Sequence, residues 1–408
     1  MNVFEQLVAT RTPPPPEDPW PPGPVTELVA EIQSPPPGLP LYACLVRRTY
    51  SFAGGRLSLS DVQDPLLPIP LSYTHPASGE VHLWDDSDLL APKPATDVVV
   101  TGSAHSARPV PELMIAVAAG SSVRRLRVTG PRVADVAKDG TVTFSDPIPF
   151  EETELSPRLA YGGDDVHAQN RRETRGGVRL ADLPADERPT KATWLYEYAR
   201  NPVGTGFFID EDRQRATGCM LPRVEDPLDL LTPERLFLPS PLAWLDAPVP
   251  GLLGWVAHDW YPRCARVVGA LPPHDPPARP ERESTFPDGA DLAAIRATPK
   301  PMLHPRALQG AAPGLAAERL RGDEAVLLEN LRPGEPSVRF DLPGEAPVFR
   351  VTPPGMKEMS PSPVLQTVRI DAARGTVSLT WCAASRLATH VPVSFLKASR
   401  LHVSWKKV

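Results

Sequence analysis

Carboxylates, histidines and glycines are the residues whose spacing in this chain invites a chemical reading. Glu151, Glu152 and Glu154 crowd one short stretch, and Asp164-Asp165 follows beside Gly162-Gly163. A glycosidase sets two carboxyl groups across a sugar, roughly 5–10 Å apart, with one pKa raised. Neighbours in sequence do not make such a pair, so both clusters read as solvated acidic loops. The nine histidines include His75, His82 and the couple His258-Asp259. None shows the His-Glu-x-x-His spacing that puts two imidazoles on one helical face for zinc. A Gly-x-Ser-x-Gly elbow, which would expose a nucleophilic serine, is absent. So is the Gly-x-x-x-x-Gly-Lys-Ser/Thr loop that cradles phosphate. The glycine-rich Asn201-Pro202-Val203-Gly204-Thr205-Gly206 has no helix after it to offer an amide-lined terminus, and reads as a turn. The expectation is a protein that is not an enzyme, with no catalytic residues, no metal and no cofactor. The alternative is a carboxylate- or metal-dependent hydrolase that gathers Asp164, Asp165, His258 and Asp259 in one cleft.

The elements that must position these residues are strands. Proline makes up 54 of 408 residues, about 13% against a usual value of about 5%. An interior proline removes a helical hydrogen bond and clashes with the preceding turn, so long helices are excluded. With 41% hydrophobic residues the chain still has the material for a core. Tyr42, Cys44, Val46, Arg48 and Tyr50 alternate with Leu45, Arg47 and Thr49, and Gly54-Gly55 turns the chain toward Leu57 and Leu59. Asp97-Val98-Val99-Val100-Thr101 is a β-branched run. Hairpins are expected for 113–117 with 123–128, and for 133–136 with 141–144 around Asp139-Gly140. Strands resume at 337–342 and 348–351, at 367–370 with 376–381, and at Leu401-His402-Val403-Ser404-Trp405. Residues 288–296 suit one short helix with an acidic first turn.

The sequence therefore predicts a mainly β protein of antiparallel sheets, sandwich- or barrel-like, with long proline-rich loops and few short helices. Its expected organisation is a proline-rich arm at 1–40, an antiparallel β unit at 41–150, an irregular aromatic middle at 151–305 and a C-terminal β region at 306–408. The run Pro13-Pro14-Pro15-Pro16 opens a polyproline II spacer within the arm. Forty-three basic against 49 acidic residues give a net charge of −6, and no basic stripe marks a nucleic-acid partner. Cys44, Cys219, Cys264 and Cys382 stand too far apart for a zinc knuckle or a disulfide framework and read as reduced thiols. The first residues carry Glu5 where a signal peptide has positive charge, and no run reaches the roughly 18 apolar residues of a membrane span. A cytoplasmic location is expected.

A series of segments in fixed order is more informative than any catalytic motif. Lys93-Pro94-Ala95-Thr96-Asp97 leads into Val98-Val99-Val100, and Val123-Arg124-Arg125-Leu126-Arg127 follows. Next come Arg158-Leu159-Ala160-Tyr161-Gly162-Gly163, Arg200-Asn201-Pro202-Val203-Gly204 and Leu221-Pro222-Arg223-Val224-Glu225-Asp226-Pro227. Trp260-Tyr261-Pro262-Arg263 closes the series. Taken together, from about residue 41 to 381, this order resembles the bacterial family called domain of unknown function 2169, whose members are linked to type VI secretion. The resemblance implies a cytoplasmic adaptor or chaperone that loads a toxic effector onto the VgrG or PAAR spike of a contractile injection apparatus. It carries over no catalytic residue. The chain departs from the family's usual aromatic-basic pattern at Pro157-Arg158-Leu159-Ala160, and by its long N-terminal arm. A structural component of a phage-tail-like particle is the other non-enzymatic reading.

The same residues suit a binding scaffold on their own chemistry. Pro94, after Lys93 and before Thr96 and Asp97, fixes how a strand enters its sheet. Gly162 and Gly163 beside Tyr161, and the turn starting at Asn201 and Pro202, allow positive φ or close backbone approach. Trp255, Trp260, Tyr261 and Arg263 are of the residue types most often found at interface hot spots. These are the candidate partner-binding residues.

Overall fold

The structure is a computed structural model. It describes residues 9–11, 25–33, 40–52, 56–74, 81–89, 93–165, 174–175, 178–179, 198, 200–209, 213–239, 243, 247–257, 309–387 and 389–408. The principal strands in chain order are β1 (Ala9–Arg11), β2 (Val25–Gln33), β3 (Pro40–Ser51), β4 (Ser58–Leu59), β5 (Thr96–Thr101), β6 (Glu112–Ala119) and β7 (Ser122–Thr129). They continue with β8 (Val224–Glu225), β9 (Ala316–Ala317), β10 (Ala325–Arg332), β11 (Glu335–Asp341), β12 (Glu345–Thr352), β13 (Val364–Asp371) and β14 (Thr376–Arg386). Helix α1 (Val393–Ala398) and strand β15 (Arg400–Lys407) end the chain. Among the described residues α1 is the one α-helix, as the proline content requires.

Two sheets dominate. The first has eight strands in the order β1-β2-β3-β14-β13-β5-β9, with β4 added on β3. The second has five, in the order β8-β7-β6-β10-β11. Their facing sides share one core: Val46, Val98, Val368 and Leu379 from the first sheet, and Ile115, Val117, Leu126, Val326 and Phe340 from the second. That is a sandwich rather than a closed barrel, because neither sheet pairs its last strand with its first. Phe52 stacks on Phe340 across the core at 4.5 Å. The other side of the large sheet is also covered, by a cluster of Leu28, Ala30, Ala43, Leu45, Leu66 and Cys382. A sheet buried on both sides explains why β3 reads as apolar on both of its faces.

The local hairpins stand as the sequence suggests: β6 with β7, Ala134–Val136 with Val142–Phe144, β13 with β14, and β3 with β4. Longer-range pairing reorganises the rest. β14 sits between β3 and β13, so the expected N-terminal and C-terminal β regions are strands of one sheet. β13 also runs parallel to β5, with Thr367 opposite Asp97, and two short pairs in the middle of the chain, 161–162 with 205–206 and 208–209 with 237–238, are parallel as well. The arm supplies β2, which pairs with β3 from Thr26 to Gln33. The suggested helix at 288–296 and the polyproline run at 13–24 lie outside the described residues.

The middle of the chain forms a smaller core of Tyr161, Tyr198, Phe207, Leu221, Leu236 and Phe237. Cys44 and Cys382 are buried, Cys219 is partly so, and none of these is in a disulfide. Burial pushes the Cys382 thiol up to about 12, with the Arg319 guanidinium pulling the other way. Cys264 lies outside the described residues.

Candidate partner-binding site

Lys93, Thr96, Asp97 and Trp255 come together at the start of β5. Asp97 is fully buried. Its Oδ1 accepts from Gln309 Nε2 at 2.7 Å and from the Ala311 amide at 3.2 Å, and its Oδ2 accepts from the Gly310 amide at 2.9 Å. Lys93 Nζ completes the set, 2.6 Å from Asp97 Oδ2 and 4.9 Å from the centre of the Trp255 ring. The Trp255 indole donates to Asp85 Oδ1 at 2.8 Å, and Asp85 in turn is ion-paired with Arg369. Burial raises the Asp85 pKa above its ordinary value, although the Arg369 and Arg47 guanidiniums act against that shift. Thr96 donates its hydroxyl to the Leu365 carbonyl at 2.8 Å and accepts from the Leu320 amide at 3.1 Å. The Asp97 carboxylate, held by four donors, joins distant segments of chain. Pro94 alone of this motif is exposed.

Trp255 bridges Ala311, the Val256 amide donates to the Gly310 carbonyl at 2.9 Å, and the Ala312 amide donates to the Gly254 carbonyl at 3.1 Å. The two stretches that flank residues 258–308 are therefore held side by side. Close approach is built in, since a Cβ on Gly310 would sit 2.8 Å from the Trp255 ring.

A similar arrangement surrounds Tyr161, Gly162, Gly163, Asn201 and Pro202. Asn201 donates its side-chain amide to the carbonyls of Pro157 (2.7 Å) and Tyr161 (3.1 Å). Its own carbonyl accepts from the Gly163 amide at 2.9 Å, and the Tyr198 amide donates to the Gly163 carbonyl at 2.8 Å. Gly162 has φ +151°, and a Cβ there would lie 2.1 Å from the Asn201 carbonyl oxygen. Only glycine fits. Tyr161 meets Tyr198 edge-on at 5.2 Å, and burial drives its phenol pKa well above the usual value. Pro202 is half-buried. Here too the two flanks of one stretch, residues 166–197, are fastened to each other, at Gly163 and Tyr198.

Of the four residues of the hydrolase reading, Asp164 and Asp165 are described. Asp165 is buried, ion-paired with Arg215, and accepts from the Ile209 amide at 2.7 Å. Asp164 is exposed, and Glu151, Glu152 and Glu154 stand outward or nearly so on the separate strand Phe150–Glu154 except that Thr153 between them is buried. Among the described residues no group of three His, Cys, Asp or Glu side chains is placed to hold a metal ion. His258, Asp259, Trp260, Tyr261 and Arg263 lie outside the described residues.

Sequence reasoning missed Asp85, Gln309 and Arg369. The run Trp84-Asp85-Asp86-Ser87-Asp88 is acidic and looks solvated, yet Asp85, Asp86 and Asp88 are all buried. The cationic partners of Asp85 and Asp88, Arg369 and Arg47, are far away in sequence, so no local signal reveals them.

The family model described as "Uncharacterized protein conserved in bacteria (DUF2169)" matches residues 38–382. The chain belongs to this family. The DUF2169 match begins just before β3 and ends within β14, two strands that lie side by side with Cys382 opposite Leu45. Both pairs of fastened flanks fall inside it, whereas β1, β2, α1 and β15 fall outside. No curated protein and no solved structure matches the chain.

Proposed function

We propose that this DUF2169 protein is a non-enzymatic adaptor that acts in the cytoplasm, binding a type VI secretion effector and helping to load it onto the VgrG or PAAR spike. Family membership supports the reading, through the association of the family with that apparatus. The observation that carries it is the use made of the motif residues. Lys93, Thr96, Asp97 and Trp255, and likewise Gly162, Gly163 and Asn201, are committed to bonds inside the fold. Side chains committed in this way make a rigid platform, and a rigid surface loses little conformational freedom when it binds. Asp165, the buried carboxylate of the hydrolase reading, is neutralised by Arg215, which weighs against that alternative.

A deletion of the gene tests the proposal. The apparatus should still assemble and fire, and one effector should remain in the producing cell. Normal delivery of every effector in the deletion strain would contradict it.

A further inference from the structure

The large sheet is covered on both sides, but the five-stranded sheet turns one face outward. Its inward positions, such as Ile115, Val117 and Leu126, belong to the shared core. On the other face Val123, Ala118 and Leu327 lie side by side in one row, and Arg125, Ala116 and Glu329 in the next. Met114 extends the face along β6. Met114 and Val123 are 44% and 48% exposed, and Arg125 is exposed as well. A sheet face turned to water is polar at its outward positions. The outward positions of β6 after Glu112 are all apolar, so this face breaks that pattern at its centre.

The charges on this face are arranged to meet a copy of themselves. Arg125 and Glu329 stand on either side of Ala116, two strand spacings or roughly 10 Å apart. Among the described residues neither has an ion-pair partner. β6 runs between β7 and β10. A second copy laid face to face, related by a two-fold axis along β6, therefore sets Arg125 of each copy against Glu329 of the other. The same rotation sets Val123 against Leu327, and keeps Ala116 and Ala118 on the axis, where no long side chain blocks the approach. An axis along β7 would set Arg125 on Arg125, and one along β10 would set Glu329 on Glu329, so the charges select β6. Isologous contact requires this kind of self-complementarity, and aligned sheets pack about 10 Å apart.

We propose that the outer face of the five-stranded sheet is the contact between two copies of this chain, packed about a two-fold axis along β6. Apolar side chains fill its centre and charged ones its flanks, the distribution found in protein interfaces. A patch of so few strands falls at the small end of the range for specific interfaces, so the association is weak and depends on the two reciprocal charge pairs. The strands that build the face lie inside the family-matched region. None of the motif residues at the start of β5 or around Gly162 and Asn201 takes part, so the dimer stands whether or not the chain is an adaptor.

Sedimentation velocity on the full chain, over a range of concentrations, tests the proposal. The unaltered chain should pass from monomer to dimer, and added salt should move that transition to higher concentration. Arg125→Glu and Glu329→Arg each set like charges against one another twice, and each should weaken the dimer at least about tenfold. Mixed in equal amounts, the two variants should associate with each other, since every charge then meets its opposite. The double variant Arg125→Glu/Glu329→Arg should dimerise like the unaltered chain for the same reason. Both side chains stand on the outer face, so the thermal midpoints of all variants should match that of the unaltered chain. A monomer at every concentration, with the face left to solvent or to a different protein, would overturn the proposal. So would a dimer indifferent to both reversals, or a dimer lost in the single variants and recovered neither in the mixture nor in the double variant.

Discussion

Lys93 Nζ lies 2.6 Å from Asp97 Oδ2, four residues apart, with the two side chains 3% and 0% exposed. An ion pair this deep contributes little by its mere presence, because desolvation offsets most of the attraction, but removing one partner strands the other. Asp97 also receives Gln309 and the amides of Gly310 and Ala311. The pair thus decides whether residues 309–311 find their seat.

Asp97→Asn keeps the shape and abolishes the charge, and should cost about 3–5 kcal/mol in urea unfolding. A double variant with Lys93→Met should recover part of that loss, since neither buried charge is then left alone. An Asp97→Asn cost under about 1 kcal/mol, the value of an ordinary hydrogen bond, would show that the cluster does not hold the segments together.

At Gly162, the strain and the clash with the Asn201 carbonyl act together. Gly162→Ala should destabilise the fold by at least about 2 kcal/mol. Gly218 has φ +80° but nothing within 4 Å of an added Cβ, so Gly218→Ala should cost only the backbone term, roughly 1 kcal/mol. Equal losses at the two sites would mean that the close approach at Asn201 contributes nothing.

These two sites also show how far the sequence could be read. Gly162-Gly163 and the turn at Asn201 are local backbone devices, and glycine and asparagine announce them directly. The hairpins at β6–β7 and β13–β14 are legible for the same reason: apolar alternation and a turn lie within one short window. Asp97 is different. Its partners Gln309 and Gly310 are more than two hundred positions away, and its parallel neighbour Thr367 farther still. β2 was hidden by the prolines on either side of it, whose composition resembles a linker although Leu28, Val29 and Ala30 are core residues.

Asp64 gives a pH signature. Burial alone would raise its pKa, but the Ser378 hydroxyl, at 2.6 Å, and Arg374 outweigh burial and hold it below its ordinary 3.8. A carboxylate with a lowered folded pKa adds stability above the unfolded value and loses it as pH falls through the folded one. Asp64→Asn should therefore be less stable than the unaltered chain at neutral pH, and the gap should close as the pH drops below 3.8. A gap independent of pH would show that the charge on Asp64 does not matter.

Because the Val256 amide donates to the Gly310 carbonyl at 2.9 Å, the base formed by the two flanks of residues 258–308 is held by its own bonds, and replacing 258–308 by a short glycine–serine linker should leave that base closed. Thermal unfolding should stay cooperative, with a midpoint close to that of the full chain. Loss of the cooperative transition would show that the base is not closed by its own bonds.

The central claim, that this chain holds other polypeptides and leaves their covalent bonds intact, is met most directly by light scattering on a gel-filtration column. The purified chain, mixed with type VI effector and spike proteins from the same bacterium, should elute with one effector in fixed stoichiometry, that effector keeping its full mass. Separate elution from every one of them, or an effector recovered in pieces, would contradict the account.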